Sequence, residues 1–382
     1  MKKTQGDADH RDSHELPEDN MRIPKCCGSR RWFQVHFLVL GLMSLAVITT
    51  VWFDNDPPKA LARQVNPNHR KRVHDFVRSV LKSECRPGFA RKGVEARIQV
   101  SSIVTDPYLW RDTLLTPDMF KYPPPFGFRD MHGKLEDVLS LLPAASEQKK
   151  EKCSRCVVIG NGGILRGLEL GSLIDQFDVV IRLNSGPLRN YSKDVGKRTS
   201  IRMSYPEGSP KLWEDVDPDL QFVAVVYKAV DFNWIRAMIS RQRVSLWDWL
   251  FFWQNVPEEI PVELSKFRIL NLEIIKQMAM DLLDLPTPQP RLWGWDQNVP
   301  TLGVSALNLA TYLCDEVSLA GFGYNISQKE VPLHYYDNLP MTAMLKQNMH
   351  NVDREKALLQ SLVKEGTVSD LTGGLHCPFC PR

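Results

Sequence analysis

Four stretches of the chain combine residue types and spacings that point to chemistry. Gly160-Asn161-Gly162-Gly163 follows the β-branched run Cys156–Ile159. Glycines where a strand turns into a helix let backbone N–H groups approach a phosphate at the positive end of the helix dipole, so a nucleotide is the expected ligand. The third glycine of a G-x-G-x-x-G fingerprint falls on Leu165, and Asn184 rather than an acid ends the next strand, which disfavours NAD. Asn184 is placed either to bond ribose or base or to cap its own loop. Thr301-Leu-Gly303-Val-Ser305 opens a predicted helix with small and capping residues, a second expected anion site. His334, in His-Tyr-Tyr-Asp, and His350, in His-Asn-Val-Asp-Arg-Glu355, supply imidazoles, the side chains best matched to proton transfer near neutral pH.

Two further patterns compete with these. Asp215-Val-Asp217 has the spacing with which a cation is held between diphosphate oxygens, as a UDP-sugar transferase would need, but it sits in a proline-containing acidic run that reads as a solvated loop. Cys153-x-x-Cys156 and Cys377-x-x-Cys380 match a four-thiolate zinc site in spacing alone.

Positioning these residues requires an α/β framework. Cys156–Ile159, the glycine turn, a helix predicted over 164–177 and the strand 178–183 make a βαβ unit, whose crossover implies parallel strands. Phe222–Tyr227, Phe267–Leu270 and Val317–Ala320 read as further strands, and 69–85, 134–142, 304–314, 342–349 and 353–365 read as helices. From Arg86 to Phe128 repeated prolines permit only short elements. The alternation predicts a single Rossmann-like domain, a mostly parallel sheet flanked by helices, with ligands at the carboxyl ends of the strands.

Composition narrows the partners. Lys+Arg 48 against Asp+Glu 45 leaves a net charge of +3, too balanced for a protein built on nucleic-acid phosphates. Residues 35–53 carry no formal charge and at roughly 1.5 Å per residue just cross a hydrocarbon core, so one membrane-spanning signal anchor is expected. Arg22, Lys25, Arg30 and Arg31 precede it and Asp54 and Asp56 follow it. Residues 1–34 are therefore a cytosolic tail, 54–68 a stem, 69–376 a lumenal domain and 377–382 a C-terminal tail. The short span suits a thin secretory-pathway bilayer, giving a single-pass type II protein of the Golgi membrane. Cys26 and Cys27 lie on the cytosolic side, open to palmitoylation, whereas the other six of the eight cysteines face an oxidising lumen. Asn190 and Asn325 head glycosylation sequons on that same side.

The segment Cys156–Met203 (CVVIGNGG…FDVVIRLNSGP…DVGKRTSIRM) resembles the large sialylmotif of animal sialyltransferases, and Asn298–Gly323 (NVPTLGV…LCDEVSLAGFG) resembles the small one. His334-Tyr-Tyr-Asp337 is similar to the family's third motif, and His350 with Glu355 to its very small H-x4-E motif, in family order from about Pro67 to Gly374. This resemblance implies a CMP-sialic acid donor, with Asn161 and Asn184 on the nucleotide and Thr301, Gly303 and Gly323 around the CMP. It implies His350 as general base and His334 against the donor phosphate, and on chemical grounds Glu355 is expected to orient His350. It also implies disulfides Cys156–Cys314 and Cys85–Cys153. The acceptor would be the 3-hydroxyl of a terminal β-galactose on a glycolipid or glycoprotein, lactosylceramide leading. A leaving group with one phosphate calls for no metal or other cofactor. Cys377 and Cys380 leave two readings open, pairing with each other or linking two chains into a homodimer.

Overall fold

The computed structural model describes residues 38, 39, 41, 64–98, 106–145, 152–288, 298–323, 331–346 and 349–380. Pro58–Arg382 forms one compact unit, separate from Met1–Pro57. Most of the expected anchor lies outside the described residues; among those described, no helix is long and apolar enough to cross a membrane. Asn325 likewise lies outside the described residues.

Among the described residues, eight strands make one mixed sheet: β1 (Tyr108–Leu109), β2 (Arg155–Ile159), β3 (Val179–Leu183), β4 (Ile201–Ser204), β5 (Gln221–Ala224), β6 (Phe267–Leu270), β7 (Glu316–Ala320) and β8 (Ser369–Asp370), in the order β1-β6-β5-β4-β3-β2-β7-β8. Every pairing is parallel except β1 with β6, where Tyr108 faces Leu270. Because side chains alternate along a strand, Cys156 and Val158 of β2 point into one apolar core while Val157 and Ile159 point into the other. Burial on both faces explains why these strands read as unbroken β-branched runs rather than as alternating ones.

Helices cover both faces. α1 (Pro67–Lys82) lays Val73 and Val77 on one core, with Asn66 accepting from the Asn68 N–H at its start. α2 (Phe89–Glu95), α3 (His132–Leu141), α4 (Ala229–Ile239), α5 (Leu302–Leu313) and α6 (Val352–Lys364) contribute to the other. Asn351 caps α6 by accepting the Arg354 N–H.

The helix expected over 164–177 does not form. A 3-10 turn at Gly163–Leu165 and a four-residue helix at Gly171–Ile174 replace it, separated by Gly167 (φ 77°) and Glu169 (φ 56°). Glu169 is held in the left-handed region by its tertiary partners: its N–H donates to Asp194 and its carboxylate pairs with Arg70 and Lys193. The helix expected over 342–349 is a 3-10 segment, Met341–Lys346.

The chain leaves β2 towards β3 on one side and receives β7 on the other. The sheet's topological switch point thus lies at β2, and a crevice opens there at the carboxyl ends of the strands.

Candidate active site

The crevice holds a cavity of about 530 Å³, within the range of small-molecule sites. It brings together Asn161, Asn184, Thr301, Gly303, Gly323, His334 and His350, which lie far apart in the chain. Cys156 and Cys314 are disulfide-bonded, tying the start of β2 to the end of α5, and Cys85 is bonded to Cys153. Cys377 pairs with Cys380, so neither is left to bridge two chains. With Cys153 and Cys156 in different disulfides, the four-thiolate zinc reading is overturned.

The glycine turn serves the fold differently from the expected phosphate cradle. Gly160, Gly162 and Gly163 give their N–H groups to the carbonyls of Ala320, Gly321 and Leu333. A Cβ on Gly160 would stand 2.6 Å from the Gly321 carbonyl oxygen, so glycine is needed to let the ends of β2 and β7 meet. Tyr335 N–H donates to the Asn161 carbonyl at 2.9 Å, and Gly162 bridges His334, which carries that imidazole to the crevice.

Anion-binding capacity lies instead at α5. Thr301 caps the helix, and no intramolecular acceptor for the Leu302 or Gly303 N–H is present among the described residues. These donors sit at the positive end of a 12-residue helix facing the cavity. Glu355, buried in the first turn of α6, accepts the Thr301 backbone N–H and hydroxyl, both at 2.7 Å. Burial pushes its carboxyl up to about 7 against those two hydrogen bonds. The expected orientation of His350 by Glu355 is thereby replaced: the His350 Nδ1–H donates to the Val299 carbonyl at 2.7 Å. That bond selects the neutral tautomer with its lone pair on Nε2, and burial holds the imidazole below its ordinary value, which favours the neutral form. His334 has its Nδ1 2.5 Å from an Asp337 carboxylate oxygen and stacks on Tyr336 at 5.1 Å.

Asn184 has φ 51°, with its N–H on the Met203 carbonyl, its Oδ1 accepting from Ser204 and its carbonyl held by Arg202 at 2.8 Å. Arg202 is fully buried and forks onto Asp215 with bonds of 2.8 and 2.6 Å. Asp215 is therefore not in a solvated loop, and neither it nor Asp217 lines the crevice. The D-x-D pattern is structural: a buried counter-charge that supports Asn184 through Arg202.

Sequence reasoning missed a charged wall of the same crevice. Lys228 donates to Glu207 at 2.6 Å and to Asp231 at 2.9 Å, and burial pushes Asp231 up to about 6. Glu207 is buried with its Oε2 unpartnered among the described residues, and it lines the cavity. An acid in Tyr-Pro-Glu-Gly, inside a polar and proline-containing run, carries no periodic signal.

Residues 108–367 match the sequence pattern of glycosyltransferase family 29 (sialyltransferase). The chain is 46% identical over 343 residues to rat lactosylceramide alpha-2,3-sialyltransferase, covering 89% of each chain, and 49% identical to the bovine enzyme of that name over 82% of this chain and 76% of the relative. It is 37% identical to human CMP-N-acetylneuraminate-beta-1,4-galactoside alpha-2,3-sialyltransferase over 76% of this chain and 77% of the relative. The fold is similar to the crystal structure of a mammalian sialyltransferase in complex with Gal-beta-1-3GalNAc-ortho-nitrophenol, with a TM-score of 0.56 and 22% identity over 76% of this chain and 96% of that one.

Proposed function

The chain belongs to the family 29 sialyltransferases, and from that membership we propose that it moves sialic acid from CMP-sialic acid to the 3-hydroxyl of a terminal β-galactose on lactosylceramide, with inversion and without a metal. The acceptor reading is supported by relatives of that name that are 46 to 49% identical over most of the chain.

The observation that carries the mechanism is the His350 Nδ1–H bond to Val299 inside the crevice. A neutral imidazole with its lone pair on Nε2 removes the galactose hydroxyl proton as the new glycosidic bond forms. CMP departs as the old bond breaks. Its phosphate is met by the Leu302 and Gly303 N–H groups and by His334, which Asp337 orients. A single phosphate asks less of the site than a diphosphate, and donors of this kind stabilise it without a cation. Asn161 and Asn184 address the nucleotide, with Thr301, Gly303 and Gly323 around it. The unpartnered Glu207 Oε2 accepts a hydroxyl or amide proton from one of the sugars.

The setting is a Rossmann-like catalytic domain on a stem, anchored by residues 35–53 in the Golgi membrane with its bulk in the lumen. The three disulfides among the described residues and the exposed Asn190 support the reading of an oxidising, glycosylating compartment. Transfer from CMP-sialic acid to lactosylceramide, measured with the detergent-solubilised full chain in EDTA, tests the proposal. Turnover unchanged by chelation is expected, and turnover that collapses on chelation, or that requires a different acceptor, overturns it.

A further inference from the structure

The segment Ser245–Trp253 (SLWDWLFFW) exposes an unusual run of large apolar side chains: Leu246 is 85% exposed, Trp247 77%, Leu250 72%, Phe251 68% and Trp253 70%. An apolar patch of this kind on a soluble domain marks a contact surface. It is not a loose loop. Ser245 accepts the Trp247 N–H at 3.3 Å, and Asn233 of α4 donates to Asp248 at 2.8 Å. Trp249 packs on the core and Phe252 is buried beneath the Lys228 ammonium, 4.8 Å from its ring. The Gln254 amide donates to the Glu207 carbonyl. The inward side chains are thus pinned to the wall of the crevice, while the outward ones stand in water, where apolar surface is unfavourable.

The same segment runs into the active site, since Trp253 belongs both to the patch and to the lining of the cavity. Two of the five exposed side chains are tryptophans, amphipathic rings suited to the headgroup level of a bilayer. Arg236, Arg241 and Arg243 are exposed just before the segment, the basic flank typical of interfacial elements.

We infer that Leu246, Trp247, Leu250 and Phe251 insert into the interface of the bilayer that carries the acceptor, seating the mouth of the crevice at headgroup height, where the sugar of a glycolipid is displayed. This inference rests on the glycolipid reading above. The occupant is the phospholipid interface itself rather than a partner protein.

The test uses the full chain reconstituted in phosphatidylcholine vesicles. The combined variant Trp247→Ser, Leu250→Ser, Phe251→Ser is assayed on lactosylceramide in the vesicles and on a water-soluble lactoside. The expected result is a fall in kcat/KM of about tenfold or more on the glycolipid, with the lactoside rate within about twofold of the unmodified enzyme. Equal loss on both acceptors, or no loss on either, overturns the inference. Independently of turnover, brominated phosphatidylcholine should quench less fluorescence in Trp247→Phe than in the unmodified chain, and identical quenching also overturns it. A protein whose Trp247 is quenched but which transfers nothing to lactosylceramide would retain the docking surface and lose the acceptor assignment, so the two failures are distinguishable.

Discussion

Glu355, in the first turn of α6, holds the N-cap of α5 by accepting both the backbone N–H and the hydroxyl of Thr301 at 2.7 Å. One buried carboxylate thus fixes the helix end that presents the Leu302 and Gly303 N–H groups, and it sets the position of α6, which follows His350.

Burial pushes this carboxyl up to about 7 from its ordinary 4.5. Between those values the folded state holds a proton that the unfolded chain has released, so the stability this group contributes is fully present below about pH 4.5 and is lost as pH rises through about 7. Glu355→Gln keeps an acceptor for the N–H and removes the titration. Urea unfolding at several pH values should show the unmodified chain losing up to about 3 kcal/mol more than the variant across that window. Parallel curves would contradict the assignment.

Burial lowers the His350 imidazole below its ordinary 6.5. The base form therefore persists into mildly acidic solution, and the acid limb of kcat/KM should break below pH 6.5. The profile is best measured also in Glu355→Gln, where the neighbouring carboxyl no longer titrates. A limb breaking above 6.5 in that background would exclude His350 as its origin.

Asp215 balances the buried Arg202, whose other N–H groups hold the carbonyls of Asn184 and Gly186. Asp215→Ala leaves an uncompensated buried charge and should destabilise the fold by about 3–5 kcal/mol in thermal or urea unfolding. The loss should be the same with and without manganese. A variant that folds normally but loses a manganese-dependent activity would restore the cation-site reading.

Glu207→Gln exchanges one carboxylate oxygen for an amide and should raise KM for one sugar substrate by about 10- to 100-fold, the worth of a hydrogen bond to a charged group. CMP affinity should be unchanged. An unaltered KM for both donor and acceptor would take Glu207 out of the binding surface.

Much of this architecture is readable from residue order alone. Buried parallel strands such as Val157–Ile159 and Val317–Ala320 announce themselves as β-branched runs, and α1, α5 and α6 carry helical spacing with caps at Asn66, Thr301 and Asn351. The failures have tertiary causes. The helix predicted after the glycine turn is broken by Glu169, whose left-handed backbone depends on Arg70, Asp194 and Lys193, and no local rule reveals such partners. The polar neighbours of Asp215 suggest a solvated loop, whereas its partner Arg202 sits inside a strand distant from that local pattern. The glycines of the 160–163 turn point by their type to a close backbone approach, and the group that approaches Gly160 and Gly162 in the fold is the Gly321 carbonyl, a partner far along the chain that no local pattern indicates. Glu207 and Lys228 stayed hidden because a charged wall assembled from separate loops has no period.

The central claim, that His350 moves the proton while α5 and the two asparagines hold the nucleotide, is tested most directly by His350→Ala with CMP affinity and transfer measured on the same preparation. Removing a general base should slow transfer by about 10²- to 10⁴-fold, with the dissociation constant for CMP within about threefold of the unmodified chain. Near-normal transfer, or loss of CMP binding in step with activity, would contradict the account.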